Sequence, residues 1–542
     1  MKRKLSQTVV YQIYPRSFKD SNGDGVGDLQ GVISKLDYLE ELGIDLVWLT
    51  PFYISPGNDN GYDIQDYYHV DPLFGTDEDV DRLIQEAEKR GIGIMLDMVF
   101  NHTSTYHEWF QKAKAGDPEY QQRYFFRKEK TNWQSKFGGN AWEYLDDLGL
   151  YYLHLFDVTQ ADLNWESQAV FKEVCSITRY WLDKGVSGLR FDVINLISKP
   201  DHFEDDDHGD GRRFYTDGVH VHDYLHALNR ETFGQYPGIT TVGELSSTSI
   251  DNAVKYADPS RQELSTVFGF HHLKVDYKDG YKWELQPFDF LELKRIMNNW
   301  QIAMQDGDAL GALFWSNHDQ PRVVSRFGDY QQYPIHSAKM LATITHLLRG
   351  MPYVYQGEEI GMGNAYFEDI DDYRDVESKT MYQELRQIKS HDEVMHILQE
   401  RSRDNSRTPI PWDSSRHHGF SSHQPWIDFS HAEHVLTVED NLSQEESVFY
   451  WVKQLIDLRH QESVVSDGRV QIIDLDDPML FNFLRETDEK RWLIVNNFMN
   501  TPTNYSIPSI NGRIVLSNYH DSTLTQTLEL RPYESIVIEY LK

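Results

Sequence analysis

Cysteine is nearly absent from this 542-residue chain, and the single thiol, Cys175, excludes an internal disulfide. One unpaired cysteine fits a reducing compartment, so a cytoplasmic location is expected. Long apolar runs are also missing. Nothing approaches the ~18 consecutive apolar residues of a membrane helix, which excludes a helical span. The opening stretch, MKRKLSQTVVYQIYPRSF, is basic but has no apolar core and no small-residue cleavage site, so no secretory signal is expected. Basic residues are scarce as well. Lys and Arg total 52 against 86 Asp and Glu, a formal net charge of −34. Such a field disfavours nucleic acid and anionic membrane as partners. It also works against an anionic substrate unless a local basic pocket reverses it. Short repeats and low-complexity linkers are not seen.

What is present is a globular composition, 39% hydrophobic and 25% charged, in a chain long enough for two or three domains. A strand-then-helix rhythm fills most of it. In GVISKLDYLEELGI, Val32, Leu36 and Leu39 share one helical face, and the buried strand DLVWLTPFY follows. Thr76 and Asp79 form a start of capping-box type, after which Val80, Leu83, Ile84 and Ala87 repeat at helical spacing. Further apolar strands read as VVYQIYP, GIGIMLDMVFNH, GLRFDVI, TTVGEL, STVFGF, ALFWSNHD and MPYVYQGEE. About eight strands alternating with helices predict an α/β fold, a closed (β/α)8 TIM barrel. Two stretches break the rhythm. Residues 103–168, rich in aromatic and polar side chains, read as a subdomain inserted after strand three. From 468 to 542 alternating strands replace helices, which predicts a C-terminal antiparallel β-sandwich domain. The barrel then occupies 1–102 and 169–467.

Polar residues gather at the C-terminal ends of these strands, where barrel enzymes carry their chemistry. Asp97, Asn101 and His102 close strand three, Arg190 and Asp192 strand four, Glu244 strand five, and His318 and Asp319 strand seven. An ionised carboxylate is costly beside a hydrophobic barrel, and several together ask for a purpose. Glycosidic hydrolysis needs two carboxyl groups, one as nucleophile or base and one protonated to release the leaving oxygen. Arg190 stands two residues before Asp192, so both side chains face the same way along a strand. A guanidinium there keeps a nucleophilic carboxylate ionised and aimed. No basic residue accompanies Glu244 in VGELSS, which suits a proton donor.

The strand-end motifs resemble those of the α-amylase superfamily. DMVFNH (Asp97–His102), QADLN (Gln160–Asn164), GLRFDVIN (Gly188–Asn195), VGEL (Val242–Leu245) and SNHD (Ser316–Asp319) occur in the family's order, and the resemblance covers essentially the whole chain. It implies a retaining double displacement, with Asp192 as nucleophile, Glu244 as acid/base and Asp319 stabilising the transition state. His102 and His318 would then hydrogen-bond the glucose at the cleavage point. NGYD (Asn60–Asp63) and RDNSRTP (Arg403–Pro409) resemble the elements that close the pocket of exo-acting α-glucosidases. By that resemblance Asp63 and Arg407 pair on the terminal glucose and Tyr62 stacks on its ring. The family usually continues with MQW where this chain has IPW (Ile410–Trp412), which puts the leaving-group wall in question. Val193, after the nucleophile, resembles branches that do not prefer α-1,4 links.

The loop DSNGDGVGD sets Asp20, Asn22, Asp24, Val26 and Asp28 at alternate positions, the spacing that hard cations want from oxygen ligands. It resembles an EF-hand loop and the calcium loop of the family's oligoglucosidase branch, and implies structural Ca²⁺ with no organic cofactor. Within the superfamily, FGGNAWEY, YYLHLFDVTQADLNWE, GRRFYTDG, FHHLKVDY and NHDQPRVVSRFGD resemble the trehalose-6-phosphate hydrolases most closely. That implies a phosphorylated disaccharide as substrate. A physical feature agrees: His271–Trp283, after strand six, holds three lysines (Lys274, Lys278, Lys282) and two histidines against two aspartates. Lysines of this kind can serve as point-charge partners of a phosphate. Arg212 and Arg213 are the next candidates. Oligo-1,6-glucosidase or dextran glucosidase activity on neutral sugars, a glucosyl-transferring isomerase, and a non-catalytic binding module are the competing readings. A monomer is favoured slightly over an oligomer.

Overall fold

The computed structural model describes residues 3–432 and 435–541. Met1, Lys2 and Lys542, at the outer limits of the expected first and last domains, lie outside the described residues. All eight expected strands form: β1 (Val10–Ile13), β2 (Leu46–Leu49), β3 (Gly93–Met98), β4 (Gly188–Phe191), β5 (Thr240–Glu244), β6 (Thr266–Phe268), β7 (Ala312–Leu313) and β8 (Met351–Tyr355). Most of their residues are buried, as expected of parallel strands covered on both faces. The chain divides into two compact units.

In the unit formed by Trp48–Lys89 and Gly93–Gly269, β3, β4, β5 and β6 run side by side and parallel. Their register sets Arg190 opposite Asp97 on one side and Val242 on the other, so three strand ends finish level. The capping box is present: the Asp79 carboxylate accepts from Thr76 N at 2.8 Å, and Thr76 Oγ1 accepts from Asp79 N at 3.3 Å. The helix Asp77–Lys89 follows and buries Val80, Leu83, Ile84 and Ala87. The inserted stretch carries a three-stranded antiparallel sheet of Phe126–Arg127, Trp142–Leu145 and Leu150–Leu153. Trp133, Trp142, Leu155 and Tyr215 form its buried core.

In the unit formed by residues 1–47, 90–92 and 270–542, β1, β8 and β7 run parallel, with Val10 opposite Tyr353 and Ala312 opposite Met351. The helical face of Val32, Leu36 and Leu39 is buried but belongs to two helices, Leu29–Ser34 and Leu36–Leu42. Lys35 N closes the first with a tight bond to Val32 O, and the Lys35 ammonium lies 4.0 Å over the Trp412 ring. β7 is shorter than its sequence suggests, because the chain leaves the strand before the polar SNHD turn. Beyond residue 468 come β9 (Arg469–Ile473), β10 (Asn482–Glu486), β11 (Lys490–Asn496), β12 (Thr503–Ser506), β13 (Arg513–Ser517), β14 (Thr527–Leu530) and β15 (Ser535–Leu541). They make an antiparallel sheet ordered β9-β10-β11-β15-β13 and a β12–β14 pair. Leu480, Leu493, Val495, Leu528 and Ile538 fill the core between. Among the described residues no helix is long and apolar enough to cross a membrane.

Candidate active site

Arg190 organises the first cluster. Its Nη1 donates to Asp97 Oδ1 and to Asp192 Oδ1, each at 2.7 Å, and its Nη2 donates to Glu244 Oε2. The strand pairing explains this. Arg190 in β4 and Asp192 just past its end point the same way. β3 sets Asp97 opposite Arg190, and β5 ends in Glu244 two residues beyond Val242, the other neighbour of Arg190. The expectation that Glu244 has no basic partner is therefore corrected: the partner comes across the sheet, which local sequence cannot show. Trp48 Nε1 (3.3 Å) and Tyr62 Oη (2.9 Å) donate to Asp97 Oδ2, and the guanidinium lies 5.1 Å over the Trp48 ring.

One guanidinium serves three acids, and Asp97 and Asp192 are left with raised titration. Burial, opposed by Arg190, lifts both Asp97 and Asp192 to about 6. The charge of Asp97 adds to the rise at Asp192, while a hydrogen bond from Glu244 favours its ionised form. The backbone beyond Asp192 is strained. Val193 takes a left-handed conformation (φ 35°) that a β-branched side chain rarely adopts. Asp192 N bonded to Met98 O (3.1 Å) and Leu196 N bonded to Val193 O (2.9 Å) hold the turn, and Val193 N points at Glu244 Oε2 at 3.4 Å.

His102 is buried and, through burial, pushed down to about 4, so its imidazole is neutral. Its Nε2 lies 3.1 Å from Tyr62 O and 3.2 Å from Gln160 Nε2. Asp63 is fully buried and its carboxyl is raised by that burial. It accepts from Ser55 Oγ (2.9 Å), Asn58 N (2.9 Å) and Asp59 N (3.1 Å).

A second cluster surrounds Asp319. Its Oδ1 accepts from Arg407 Nη2 at 2.7 Å and from Arg403 Nη1 at 3.4 Å, and His318 Nε2 lies 3.3 Å from its other oxygen. Gln12 fixes the His318 ring through Nδ1 at 2.8 Å, and Arg407 Nε donates to His318 O at 2.8 Å. Behind the arginines stands Asp375, fully buried, receiving Arg403 Nη2 at 2.6 Å with Arg407 Nη1 at 3.6 Å. Burial opposes ionisation of Asp375, but Arg403 and Arg407 override it and hold the carboxyl well below the usual range. Asp375 was missed in the sequence because it sits in an acidic stretch, DDYRDVESK, that reads as surface. The IPW departure leaves Arg407 anchored: Ser17 Oγ donates to Arg407 O at 2.5 Å, Ile410 N to Ser17 O at 2.9 Å, and Trp412 Nε1 to Phe18 O at 2.7 Å.

The basic stretch after β6 is less positive than its composition. His272 is buried against Phe314 O (2.9 Å) and lowered to about 4, so it carries no charge. Lys278 pairs with Glu284 at 2.6 Å and Lys282 with Glu377 at 2.7 Å, acids that lie beyond the stretch in sequence. Lys274 ends the short helical turn His271–Lys274. Arg212 and Arg213 are tied to Asp210 (2.8 Å) and Asp206 (2.9 Å).

In the Asp20–Asp28 loop the oxygens organise the turn. Asp20 Oδ1 accepts from Asn22 N and Gly23 N, Asn22 Oδ1 from Asp24 N, and Asp24 Oδ1 from Val26 N. Asp28 caps the helix that follows. Gly25 (φ 92°) is required, since a Cβ there would meet Gln424 O at 2.2 Å. Among the described residues no three His, Cys, Asp or Glu side chains are grouped to hold a metal, so a cation here would draw on Asn22 and the Val26 carbonyl too.

Comparison with known proteins places this geometry. Residues 12–468 match the alpha amylase catalytic domain and 480–537 match the alpha-amylase SusG C-terminal domain. The chain is 49% identical over 550 residues to the trehalose-6-phosphate hydrolase of Bacillus subtilis (strain 168), covering 99% of this chain and 98% of that one. It is 44% identical to an oligo-1,6-glucosidase of Heyndrickxia coagulans, covering 98% of each. The crystal structure of a Bacillus licheniformis trehalose-6-phosphate hydrolase superposes with a TM-score of 0.96 at 48% identity, over 99% of this chain and 100% of that one. The fold is the expected α/β one, a (β/α)8 barrel with a C-terminal antiparallel β-domain, and the chain belongs to the alpha-amylase family.

Proposed function

We propose that the protein is an exo-acting α-glucosidase that hydrolyses trehalose 6-phosphate to glucose and glucose 6-phosphate with retention. The observation that carries the chemistry is Arg190 donating to Asp192 and Glu244 together, which sets a nucleophile and a proton donor on adjacent strand ends. The ionised Asp192 carboxylate attacks the anomeric carbon while the Glu244 carboxyl gives its proton to the departing oxygen. Glu244, now a carboxylate, takes a proton from water, whose oxygen breaks the glucosyl ester and frees Asp192. Asp319, held by Arg403 and Arg407, supports the positive charge that develops at the sugar ring. His102 and His318 bind hydroxyls, and Asp63, Tyr62 and Arg407 close the terminal-glucose end.

The choice of substrate rests on the 49% identity over nearly the whole length to a trehalose-6-phosphate hydrolase. We assign the phosphate to Lys274, Lys278 and Lys282. The second reading, action on neutral α-glucosides, draws on the pairing of Lys278 and Lys282 with glutamates, which lessens the local charge reversal. Product analysis on trehalose 6-phosphate, trehalose, isomaltose and maltose separates the two. Preference for the first supports the phosphorylated substrate, and preference for isomaltose overturns it. For Ca²⁺ we propose the Asp20, Asn22, Asp24, Val26 and Asp28 loop as a structural site, supported by the alternate oxygens and by the turn that Gly25 permits. The buried Cys175, its thiol pushed up by burial to about 11, fits the expected reducing cytoplasm.

A further inference from the structure

Lys136 lies in the inserted stretch, far in sequence from the barrel lysines, yet its Nζ donates to Ser246 Oγ at 3.1 Å. Ser246 is two residues beyond Glu244, so this ammonium is held beside the segment that carries the proton donor. Both sides of the contact are fixed. Asn195 clamps Ser246 reciprocally: its Nδ2 donates to Ser246 O at 2.9 Å and its Oδ1 accepts from Ser246 N at 2.8 Å. Asp217 in turn takes bonds from Asn195 (3.1 Å), Thr248 (2.7 Å), Asn252 (3.1 Å) and Tyr256 (2.7 Å). On the other side, Lys136 N donates to Leu155 O at 2.8 Å, and the buried Ser135 ties the loop through Phe156 O and Phe137 N. The ammonium also lies 5.8 Å over the Tyr215 ring.

We propose that Lys136, with the Ser246 hydroxyl, is a specificity-determining contact for the phosphate of the leaving glucose. This deepens the reading of a phosphorylated substrate and rests on it. The chemistry sets the location. Glu244 protonates the leaving oxygen, so the leaving sugar lies on the Glu244 side of the reacting bond. Ser246 lies past the end of β5, and two residues of chain reach at most about 7 Å, which is comparable to the span of one sugar ring. A cation anchored at Ser246 therefore stands within one sugar of the proton that is transferred. Lysine and serine supply a charge and a second donor, the pair a phosphate monoester accepts. Because the loop and Ser246 are already fixed, binding costs little side-chain ordering.

The test compares wild type, Lys136→Gln and Lys136→Arg on trehalose 6-phosphate and on nitrophenyl α-glucoside. Inorganic phosphate and glucose 6-phosphate are added as inhibitors of the second reaction. In Lys136→Gln the ratio of kcat/KM for trehalose 6-phosphate to that for the nitrophenyl glucoside falls about 10- to 100-fold, the range of a charge-assisted hydrogen bond. Lys136→Arg recovers part of it, and the inhibition constant for glucose 6-phosphate rises in the glutamine variant. An unchanged ratio, or an equal loss on both substrates with unaltered inhibition, overturns the proposal. Wild type that fails to prefer trehalose 6-phosphate over trehalose overturns the substrate reading itself, a result visible before any variant is made.

Discussion

Replacing Arg190 with Met removes the guanidinium that Asp97, Asp192 and Glu244 share, while a side chain of similar length still fills the space. An opposite charge at such range lowers a carboxyl by about 1–3 units. Losing it carries Asp192 from about 6 towards roughly 8. At pH 7 the ionised fraction of Asp192 then falls from about nine-tenths to about one-tenth. That alone predicts at least a roughly tenfold loss of kcat/KM at pH 7, before any loss of aim. The sign follows from the proposed role: as a nucleophile Asp192 works ionised, so the acid limb of the profile lies near pH 6 in wild type and moves upward by about two units in the variant. Asp97 and Asp192 share Arg190, so the limb reports an apparent value for the pair. Breaking a buried ion pair from one side costs about 3–5 kcal/mol, so the melting temperature falls as well, and falls less at low pH where the acids protonate. Rates of nitrophenyl glucoside hydrolysis from pH 4 to 9, with melting curves on the same samples, measure both effects. Arg190→Lys, which keeps the charge and loses the fork, should move the limb less than Met does. An acid limb that stays near pH 6 in the Met variant would refute the reasoning.

Asp192→Asn and Glu244→Gln should each lose at least about 10²-fold in kcat with melting curves near wild type, since each ends a covalent or proton-transfer step; more than about a tenth of wild-type turnover in either variant counts against the assignment. Arg407→Ala should raise KM and lower kcat/KM, and wild type should release only glucose units, so maltose or longer fragments from soluble starch would contradict the closed end. Chelation of Ca²⁺ should lower the melting temperature while activity at low temperature persists, because a ligand of the native state stabilises by mass action. Equal melting in chelator and in excess Ca²⁺ would remove the metal from the loop. Lys282→Ala should lower the ratio of kcat/KM for trehalose 6-phosphate to that for trehalose, and a ratio equal to wild type would move the phosphate elsewhere.

The strand-end residues were legible because period and position coincide. A strand orients residues i and i+2 alike, so RFD announces an arginine aimed with an aspartate, and apolar runs announce where each strand stops. The helix after Thr76 was legible for the same local reason, its cap and its apolar face lying within fourteen residues. What sequence withheld were partners across the fold. The contact of Arg190 with Glu244 spans 54 residues and depends on β4 lying beside β5. The glutamates that answer Lys278 and Lys282 lie outside the stretch whose charge was counted, and His272 loses its charge to burial, which a composition cannot see. Asp375 belongs to the same class, an acid in an exposed-looking run that folding takes wholly inside.

The expected catalytic acids thus sit in opposite electrostatic settings. Around Arg190 there are three acids to one guanidinium, and the proposed chemistry needs that shortage. A full set of counter-charges would hold every carboxyl ionised and leave none to deliver a proton, whereas with a single cation shared among three, Asp97 and Asp192 rise to about 6. Around Asp319 two guanidiniums meet one oxygen, and Asp375 behind them keeps both arginines from repelling each other away from it. That arrangement suits a group which must stay charged and still throughout the reaction and never exchange a proton. In the proposed mechanism the different ratios of arginine to carboxylate distinguish the nucleophile and proton donor from the electrostatic support, although all three are acidic side chains near the ends of barrel strands.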